Sequence, residues 1–440
     1  MNYTEALEFL RQLTKFGINP GLSRIEELLR RLGDPHRRLR FFHIGGTNGK
    51  GSVAAMVAAI LQAAGYRVGL FTSPHLHSYT ERIRLNGQDI KEEEVACILT
   101  HLRPILEDMV EKGFEPPTEF EVTTALALYY FGEVKPDYVV LEVGLGGSLD
   151  STNIIPSSEV SIITNVGLDH MDYLGPTIPE IAQQKAGIIK QDGIVVTGAD
   201  NPEALDVIER ACQQKKAVLY RLGRDIHFKE LLLSPQGGEL DWEGLGQHYH
   251  KLKIPLLGRH QLINASLAVA AIEAARRHRG LRVTEAQIRE GLARVSWPGR
   301  LEVICNRPLV VLDGAHNYDG ALALKQALQE LFSYQRLILV LGMLADKERE
   351  KITGVLAPLA QRVIVTRPDS SRAGDWEKIA LYARKFTPHV EVIRDISQAI
   401  ELALGLAGPE DLICATGSLY MIADARKWFL EHKKEDFLIE

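Results

Sequence analysis

The sequence predicts an α/β protein of two domains: a domain with a phosphate-binding type of loop on a mostly parallel sheet, followed by a smaller Rossmann-like α/β domain. Three observations carry that reading. Strand-like apolar runs alternate with helical periodicity from residue 41 to about 222, and again from 309 onward. A glycine-rich turn containing Lys50 joins the first strand to an alanine-rich helix. Trp297-Pro298-Gly299-Arg300 breaks the pattern between the two series, which sets the expected domains at residues 1–296 and 297–440. A chain of 440 residues also exceeds what one hydrophobic core usually serves.

Composition narrows the function class. The formal net charge of −6 gives no electrostatic reason to expect nucleic acid. No apolar stretch reaches membrane-spanning length, and the N-terminal segment reads as an acidic amphipathic helix without a basic leader, so a cytoplasmic protein with no membrane partner is expected. Cys97, Cys212, Cys305 and Cys414 show no ligand spacing, so neither a zinc site nor a disulfide framework is expected.

Taken in order, residues 3–14 and 23–32 read as helices separated by an Asn19-Pro20-Gly21 turn, with Gly33-Asp34-Pro35 ending the second. Phe41 to Ile44 is an apolar run, Gly46 to Ser52 a glycine-rich turn, and Val53 to Ala64 a helix. Glycines let successive N–H groups converge on an anion, the helix start adds partial positive charge, and Lys50 adds a full one, so a phosphate is the expected ligand. The spelling departs from the common P-loop: Gly51 separates Lys50 from Ser52.

Arg67 to Thr72 is the next strand, leading into Ser73-Pro74-His75-Leu76 at the end where an open α/β sheet places ligand groups. His75 and His77 also fit solvated loop histidines. A helix at 91–112 precedes Thr118-Glu119-Phe120-Glu121, whose spacing is that of a capping box and needs no function to explain it. Asp137 to Val143 is a buried-type strand carrying Glu142 near its end, where a carboxylate must be paired, hydrogen-bonded or metal-bound. Val160 to Val166 is another, ending in Gly167-Leu168-Asp169-His170, a candidate second metal contact.

A helix from about Pro179 carries Lys185, which alone reads as a solvated lysine. Strands at 193–197 and 218–222 flank a helix at 202–213 and continue the parallel rhythm. Residues 224–257 read as hairpins, followed by helices at 260–277 and 284–293. The second series has strands at 309–313, 337–342, 363–366, 390–393 and 412–415, the first of them ending in Asp313-Gly314-Ala315-His316-Asn317.

Six segments occurring together carry a family resemblance. Gly-Thr-Asn-Gly-Lys-Gly-Ser (46–52), Thr-Ser-Pro-His-Leu (72–76) with Glu81-Arg82-Ile83, Glu-Val-Gly-Leu-Gly-Gly (142–147), Leu-Asp-His-Met (168–171), Lys-Ala-Gly-Ile (185–188) and Asp-Gly-Ala-His-Asn (313–317) stand in the order seen in the folylpolyglutamate synthase / dihydrofolate synthase family of the Mur ligase superfamily. The motifs span residues 41–317, and the layout matches over the whole chain.

The resemblance implies a Mur-ligase-type fold and an ATP- and magnesium-dependent ligase that joins L-glutamate to dihydropteroate, to a reduced folate, or to both, through an acyl phosphate. It implies that Asn48, Gly49, Lys50, Gly51 and Ser52 hold the ATP phosphates, helped by Asn264, Arg300 and Asp313. Ser73, Glu142 and His170 resemble magnesium ligands, and Lys185 resembles the lysine that the superfamily carbamylates to hold a second ion. His316 resembles a residue of the glutamate site. Ser73, Pro74, His75, Leu76 and Arg82, then Thr118, Glu119, Phe120 and Glu121, and then Leu149, Asp150 and Ser151 match pterin-substrate positions. Ser148 stands where many relatives carry Arg, and Tyr318 where Pro commonly follows the Asp-Gly-Ala-His-Asn motif. A monomer is implied.

Two other readings stand beside this one. A Mur-type ligase acting on a UDP-linked cell-wall precursor would carry a separate domain ahead of the loop, and the 40 residues before Phe41 are few for one. A non-catalytic nucleotide-binding regulator would leave the clusters at Glu142, His170 and Asp313 without a role.

Overall fold

The computed structural model describes residues 1–13, 17, 19 and 21–432. Thr14, the last residue of the first expected helix, and Pro20, the centre of the expected turn, lie outside them.

β1 (Phe41–Gly45), β2 (Val68–Phe71), β3 (Ile83–Leu85), β4 (Gln88–Asp89), β5 (Tyr138–Glu142), β6 (Val160–Ile163), β7 (Ile194–Thr197) and β8 (Val218–Arg221) form one sheet in the order β4-β3-β2-β5-β1-β6-β7-β8. From β2 across to β8 every pairing is parallel, and only β3 and β4 run antiparallel at one edge. β1 lies between β5 and β6, so the turns leaving those three strands meet at one end of the sheet, where open α/β sheets bind ligands.

Helices Tyr3–Leu13, Ser23–Arg31, Glu92–Glu111 and Glu119–Val134 pack with Phe41, Phe71, Val139 and Leu141 in one core cluster. Helices Ile178–Ala186 and Pro202–Gln214 pack with Val143, Ile163 and Val195 in another. Apolar residues on both faces of the parallel strands are what two-sided burial requires.

Two elements differ from expectation near the loop. The helix begins at Lys50 rather than Val53, because Gly49 (φ +82°) closes the turn in the left-handed region and the chain is helical from the next residue. It runs to Ala63, is buried on almost every side, and meets the helix Glu285–Arg294 so closely that a Cβ on Gly291 would lie 2.4 Å from Ile60 Cα. β6 ends at Ile163 rather than Val166, and beyond it the Thr164 hydroxyl and the Asn165 side chain bond the turn opposite.

β9 (Ile226–Ser234), β10 (Gly237–Gly244) and β11 (Gln247–Ile254) form a three-stranded sheet where hairpins were expected. β12 (Glu302–Asn306), β13 (Leu309–Asp313), β14 (Leu337–Leu341), β15 (Arg362–Val365), β16 (Val390–Val392) and β17 (Leu412–Thr416) form a sheet ordered β12-β13-β17-β14-β15-β16, parallel except for β12. The edge strand β12 escaped the sequence reading because it is mostly half-buried and its register shifts between Val303 and Cys305. All four cysteines are free thiols.

The chain divides into two compact units. The first comprises Met1–Lys229, Leu240–Lys253 and Ile263–Val295, and the second Glu230–Glu239, Ile254–Leu262 and Ser296–Glu440.

Candidate active site

The turn after β1 is held from β6. Asn165 Oδ1 accepts the N–H groups of Thr47 (3.2 Å) and Asn48 (2.8 Å), and Thr164 Oγ1 donates to the Asn48 carbonyl at 2.6 Å. Thr47 Oγ1 bonds both the carbonyl (3.2 Å) and the N–H (3.0 Å) of Gly167. Gly46 (φ +140°) and Gly49 have no room for a side chain: a Cβ would lie 1.9 Å from Thr164 Oγ1 and 2.4 Å from Asn264 Oδ1, respectively. Asn264 therefore rests directly on the turn. Lys50 Nζ donates to the Thr47 carbonyl at 3.2 Å. No side chain caps the helix that starts at Lys50, so its first turn presents main-chain N–H groups lacking intrahelical acceptors.

Beside this turn, Glu142 ends β5 opposite Ile44 of β1, nearly fully buried, and accepts the Ser73 N–H at 3.0 Å. Parallel pairing of β5 with both β1 and β2 is what brings residues 44, 73 and 142 together. Beyond β6, His170 (φ +51°) takes the Asp169 carboxylate on its own N–H at 2.9 Å, with its ring Nε2 3.9 Å from Asp169 Oδ1. Lys185 is buried on the helix Ile178–Ala186, contrary to the solvated lysine its local sequence suggests. Burial and the nearby Lys50 ammonium push its pKa down to about 7, against the opposing pull of Asp169. Among the described residues no three His, Cys, Asp or Glu side chains stand close enough to hold a metal. The expected ligand set draws only Glu142 and His170 from those types; the others are a serine and a lysine.

The Ser73–Arg82 loop is organised by Glu81, whose role the sequence reading did not find. Its carboxylate accepts the N–H groups of Leu76, His77 and Ser78 at 2.8–2.9 Å. Burial alone would raise its pKa, but those three bonds bring it below the ordinary carboxylate value. Arg82 Nε donates to His75 Nδ1 at 2.8 Å, and the guanidinium lies over the Tyr79 ring. Burial and then Arg82 lower the His75 pKa to about 4, so the ring is neutral near pH 7 with its proton on Nε2. His77 is exposed.

Thr118 and Glu121 form the capping box that their spacing predicts, with Thr118 N–H on Glu121 Oε2 at 2.8 Å and the reciprocal bond at 3.3 Å. Glu121 is further occupied by Arg24, whose Nε lies 3.1 Å from both carboxylate oxygens. No sequence signal linked residues 24 and 121. Glu119 is partly buried, and the Phe120 ring fills the space against Gly144, where a Cβ would come within 2.4 Å of it.

Leu149 is 47% exposed, whereas Asp150 and Ser151 are buried. Asp150 accepts the N–H groups of Leu145 (2.8 Å) and Thr152 (3.0 Å), and Ser151 Oγ lies 2.7 Å from Thr124 Oγ1. Ser148 N–H donates to the Gln184 carbonyl at 2.8 Å, and its hydroxyl bonds the Gln184 side chain. Pro74, next to Ser73, is exposed, and Leu76 is partly buried.

Within the second unit, Asp313 ends β13 and binds the N–H groups of Leu301 and Ala315, each at 2.8 Å. Arg300 lies against Gly314, whose Cβ position is 3.1 Å from Nη1. His316 Nδ1 is 2.8 Å from the Gly314 carbonyl oxygen. Asn317 caps the helix Tyr318–Leu331 through the Gly320 N–H at 2.9 Å, and Tyr318 is the first residue of that helix. His260, which the sequence reading did not single out, is a near neighbour: burial lowers its pKa, Asp313 opposes that and Arg300 reinforces it.

Residues 44–272 match the Mur ligase middle domain, and residues 299–419 the Mur ligase, glutamate ligase domain. A Bacillus subtilis dihydrofolate synthase/folylpolyglutamate synthase is 37% identical, over 97% of this chain and 98% of the relative. A Mycobacterium tuberculosis folylpolyglutamate synthase complexed with ADP superposes with a TM-score of 0.90 at 34% identity, covering 98% of this chain and 100% of that one. An Escherichia coli structure in complex with DHPP and ADP superposes with a TM-score of 0.88 at 30% identity, covering 99% of each chain.

Proposed function

The chain belongs to the folylpolyglutamate synthase / dihydrofolate synthase family of Mur ligases, and from that membership we propose that it joins L-glutamate to dihydropteroate, to a reduced folate, or to both. The carboxylate is first made a competent acyl donor. Its oxygen attacks the γ-phosphorus of ATP, ADP departs, and the resulting acyl phosphate is attacked by the glutamate amine. The amide bond forms as phosphate leaves and the amine gives up its proton.

In-line phosphoryl transfer depends mainly on positioning and charge neutralisation. In this reading the turn from Asn48 to Ser52 orients the ATP phosphates, with Lys50 adding a full charge and Asn264 bracing the turn. Arg300 and Asp313 serve the nucleotide, and His316 the entering glutamate. The Ser73–Arg82 loop, Thr118–Glu121 and Leu149–Ser151 form the pterin-substrate segments; within them Glu121 and Asp150 act by holding backbone in place, since their oxygens are already engaged.

Magnesium, when bound, supplies positive charge to the phosphates, and Ser73, Glu142, His170 and a carbamylated Lys185 are the residues that would hold two ions. A buried carboxylate and a serine hydroxyl suit a hard cation. Carbamylation needs an unprotonated amine to attack carbon dioxide and lose a proton; the buried setting of Lys185 beside Lys50 favours that form.

The observation that carries the reading is the convergence of the glycine turn, buried Glu142 and the Asp169–His170 pair on the ends of three adjacent strands, β1, β5 and β6. The test is phosphate release from ATP and magnesium with L-glutamate and either dihydropteroate or a reduced folate, measured side by side. Release that requires both glutamate and a pterin carboxylate is expected. Release independent of either one overturns the proposal.

A further inference from the structure

Three side chains outside the phosphate turn form a continuous buried chain. His43, in the middle of β1, has no exposed surface; its Nε2 lies 2.9 Å from Thr152 Oγ1. Thr152, equally buried, directs its hydroxyl to Asp150 Oδ1 at 2.5 Å and its N–H to the same oxygen at 3.0 Å. Asp150 Oδ2 accepts the Leu145 N–H at 2.8 Å.

Donor and acceptor arithmetic fixes the direction of this chain. Main-chain N–H groups from two segments hold the Asp150 carboxylate as an acceptor, so the single Thr152 hydroxyl proton goes to it. The Thr152 oxygen then has only lone pairs to offer, and His43 must carry its proton on Nε2. His43 Nδ1 is left bare, and it has no partner within the core. A core strand position that needed only volume would be met by an apolar residue without that orphaned nitrogen.

The far end of the chain is a place with little tolerance. The Gly144–Gly147 turn begins two residues after Glu142. A Cβ on Gly144 would approach Phe120 to 2.4 Å, and one on Gly147 would approach the Gln184 carbonyl to 2.7 Å and the Lys185 carbonyl to 3.1 Å. The turn is thus pressed between the helix bearing Phe120 and the helix bearing Lys185. The near end is β1, which ends at Gly45 and passes into the phosphate turn at Gly46.

We propose that His43, Thr152 and Asp150 form a positioning relay that sets the Gly144–Gly147 turn, and with it the pterin-substrate segment Leu149–Ser151, from the strand carrying the phosphate turn. The proposal rests on the ligase reading above and adds residues to it: His43 and Thr152 touch no substrate and act through Asp150.

Thr152→Val keeps the shape and cuts the relay at its centre, while Thr152→Ser keeps the hydroxyl. Steady-state kinetics on the full chain, with the pterin carboxylate and ATP varied separately, should give about a tenfold rise in KM for the pterin substrate in Thr152→Val, as expected for one buried hydrogen bond, with KM for ATP unchanged. Thr152→Ser should restore the wild-type value. His43→Phe should show the same split, and His43→Phe/Thr152→Val should lose no more than the single variants, since both cut one chain. Hydrogen exchange at the Leu145 amide should quicken in both, a readout that does not need turnover.

An unchanged pterin KM in Thr152→Val overturns the relay, as do equal rises in both KM values, additive losses, or unaltered Leu145 exchange. Wild-type protein that makes no glutamate-dependent product sinks the ligase reading instead, and the exchange measurement still decides the relay.

Discussion

Lys185, on the helix Ile178–Ala186, and Lys190, just beyond its end, meet opposite fates. Lys190 donates to the Asn153 carbonyl (3.0 Å), the Asn153 side chain (2.8 Å) and the Ile155 carbonyl (2.7 Å). Burial, then Lys215, lowers its pKa to about 8, yet its charge has a complete set of acceptors. Lys185, deeper and set beside Lys50, has its pKa lowered to about 7 by burial and a like charge. Burial alone therefore does not decide how a lysine behaves; the groups facing it do. A lysine encircled by carbonyls fastens a loop, whereas one facing another cation is pushed further toward its neutral form.

The sharpest way to break this comparison is to truncate each lysine. Lys185→Ala should lower kcat about 10²–10³-fold, the scale of losing one preorganised charged group, with partial recovery when short carboxylic acids are added. Unaltered activity would end the carbamate proposal. Next in size is Gly49→Ala, which places a Cβ against Asn264 and forces alanine to φ +82°; KM for ATP should rise about 10²-fold while the fold persists.

Lys190→Met should act on stability instead, reducing the free energy of urea unfolding by ~1–3 kcal/mol while turnover per folded molecule stays near wild type. A turnover loss matching that of Lys185→Ala would erase the distinction. Thr118→Ala should cost about 1 kcal/mol in the same unfolding assay through loss of the helix cap.

The smallest effect concerns acid. Burial holds the His36 pKa below its ordinary value of 6.5, with Arg37 lowering it further and Asp34 and Glu26 opposing. Between the two values the unfolded chain binds the proton and the folded one does not, so this contribution to stability is present above pH 6.5 and lost as pH falls below it. His36→Gln should flatten the acid side of a stability-versus-pH curve, and an identical slope would exclude the effect.

Much of the site was legible because it sits at strand ends marked by local spelling. Glu142 at the close of an apolar run, the Thr118–Glu121 spacing and the glycines around Lys50 all declare themselves within a few residues. What escaped reading depends on pairing across the sheet. Thr164 and Asn165 hold the phosphate turn only because β6 lies beside β1, more than 110 residues away in sequence. Arg24 reaches Glu121 because two helices of one core cluster pack together, and His43 reaches Thr152 from a strand to a turn far along the chain, contacts that linear periodicity also does not register. The burial of Lys185 was equally hidden, since helix periodicity there is weak and the packing of the helix decides its exposure.

The edges of the two large sheets carry a consequence for the chain's behaviour in crowded solution. β4 has two residues and β16 three, β12 shifts register part-way along, and Glu391 of β16 is tied to Arg362. Short, irregular or charged edges offer few successive unpaired N–H and C=O groups to another molecule. The β4, β12 and β16 edges therefore disfavour strand-to-strand association, and lengthening β16 by apolar residues should raise the tendency to aggregate.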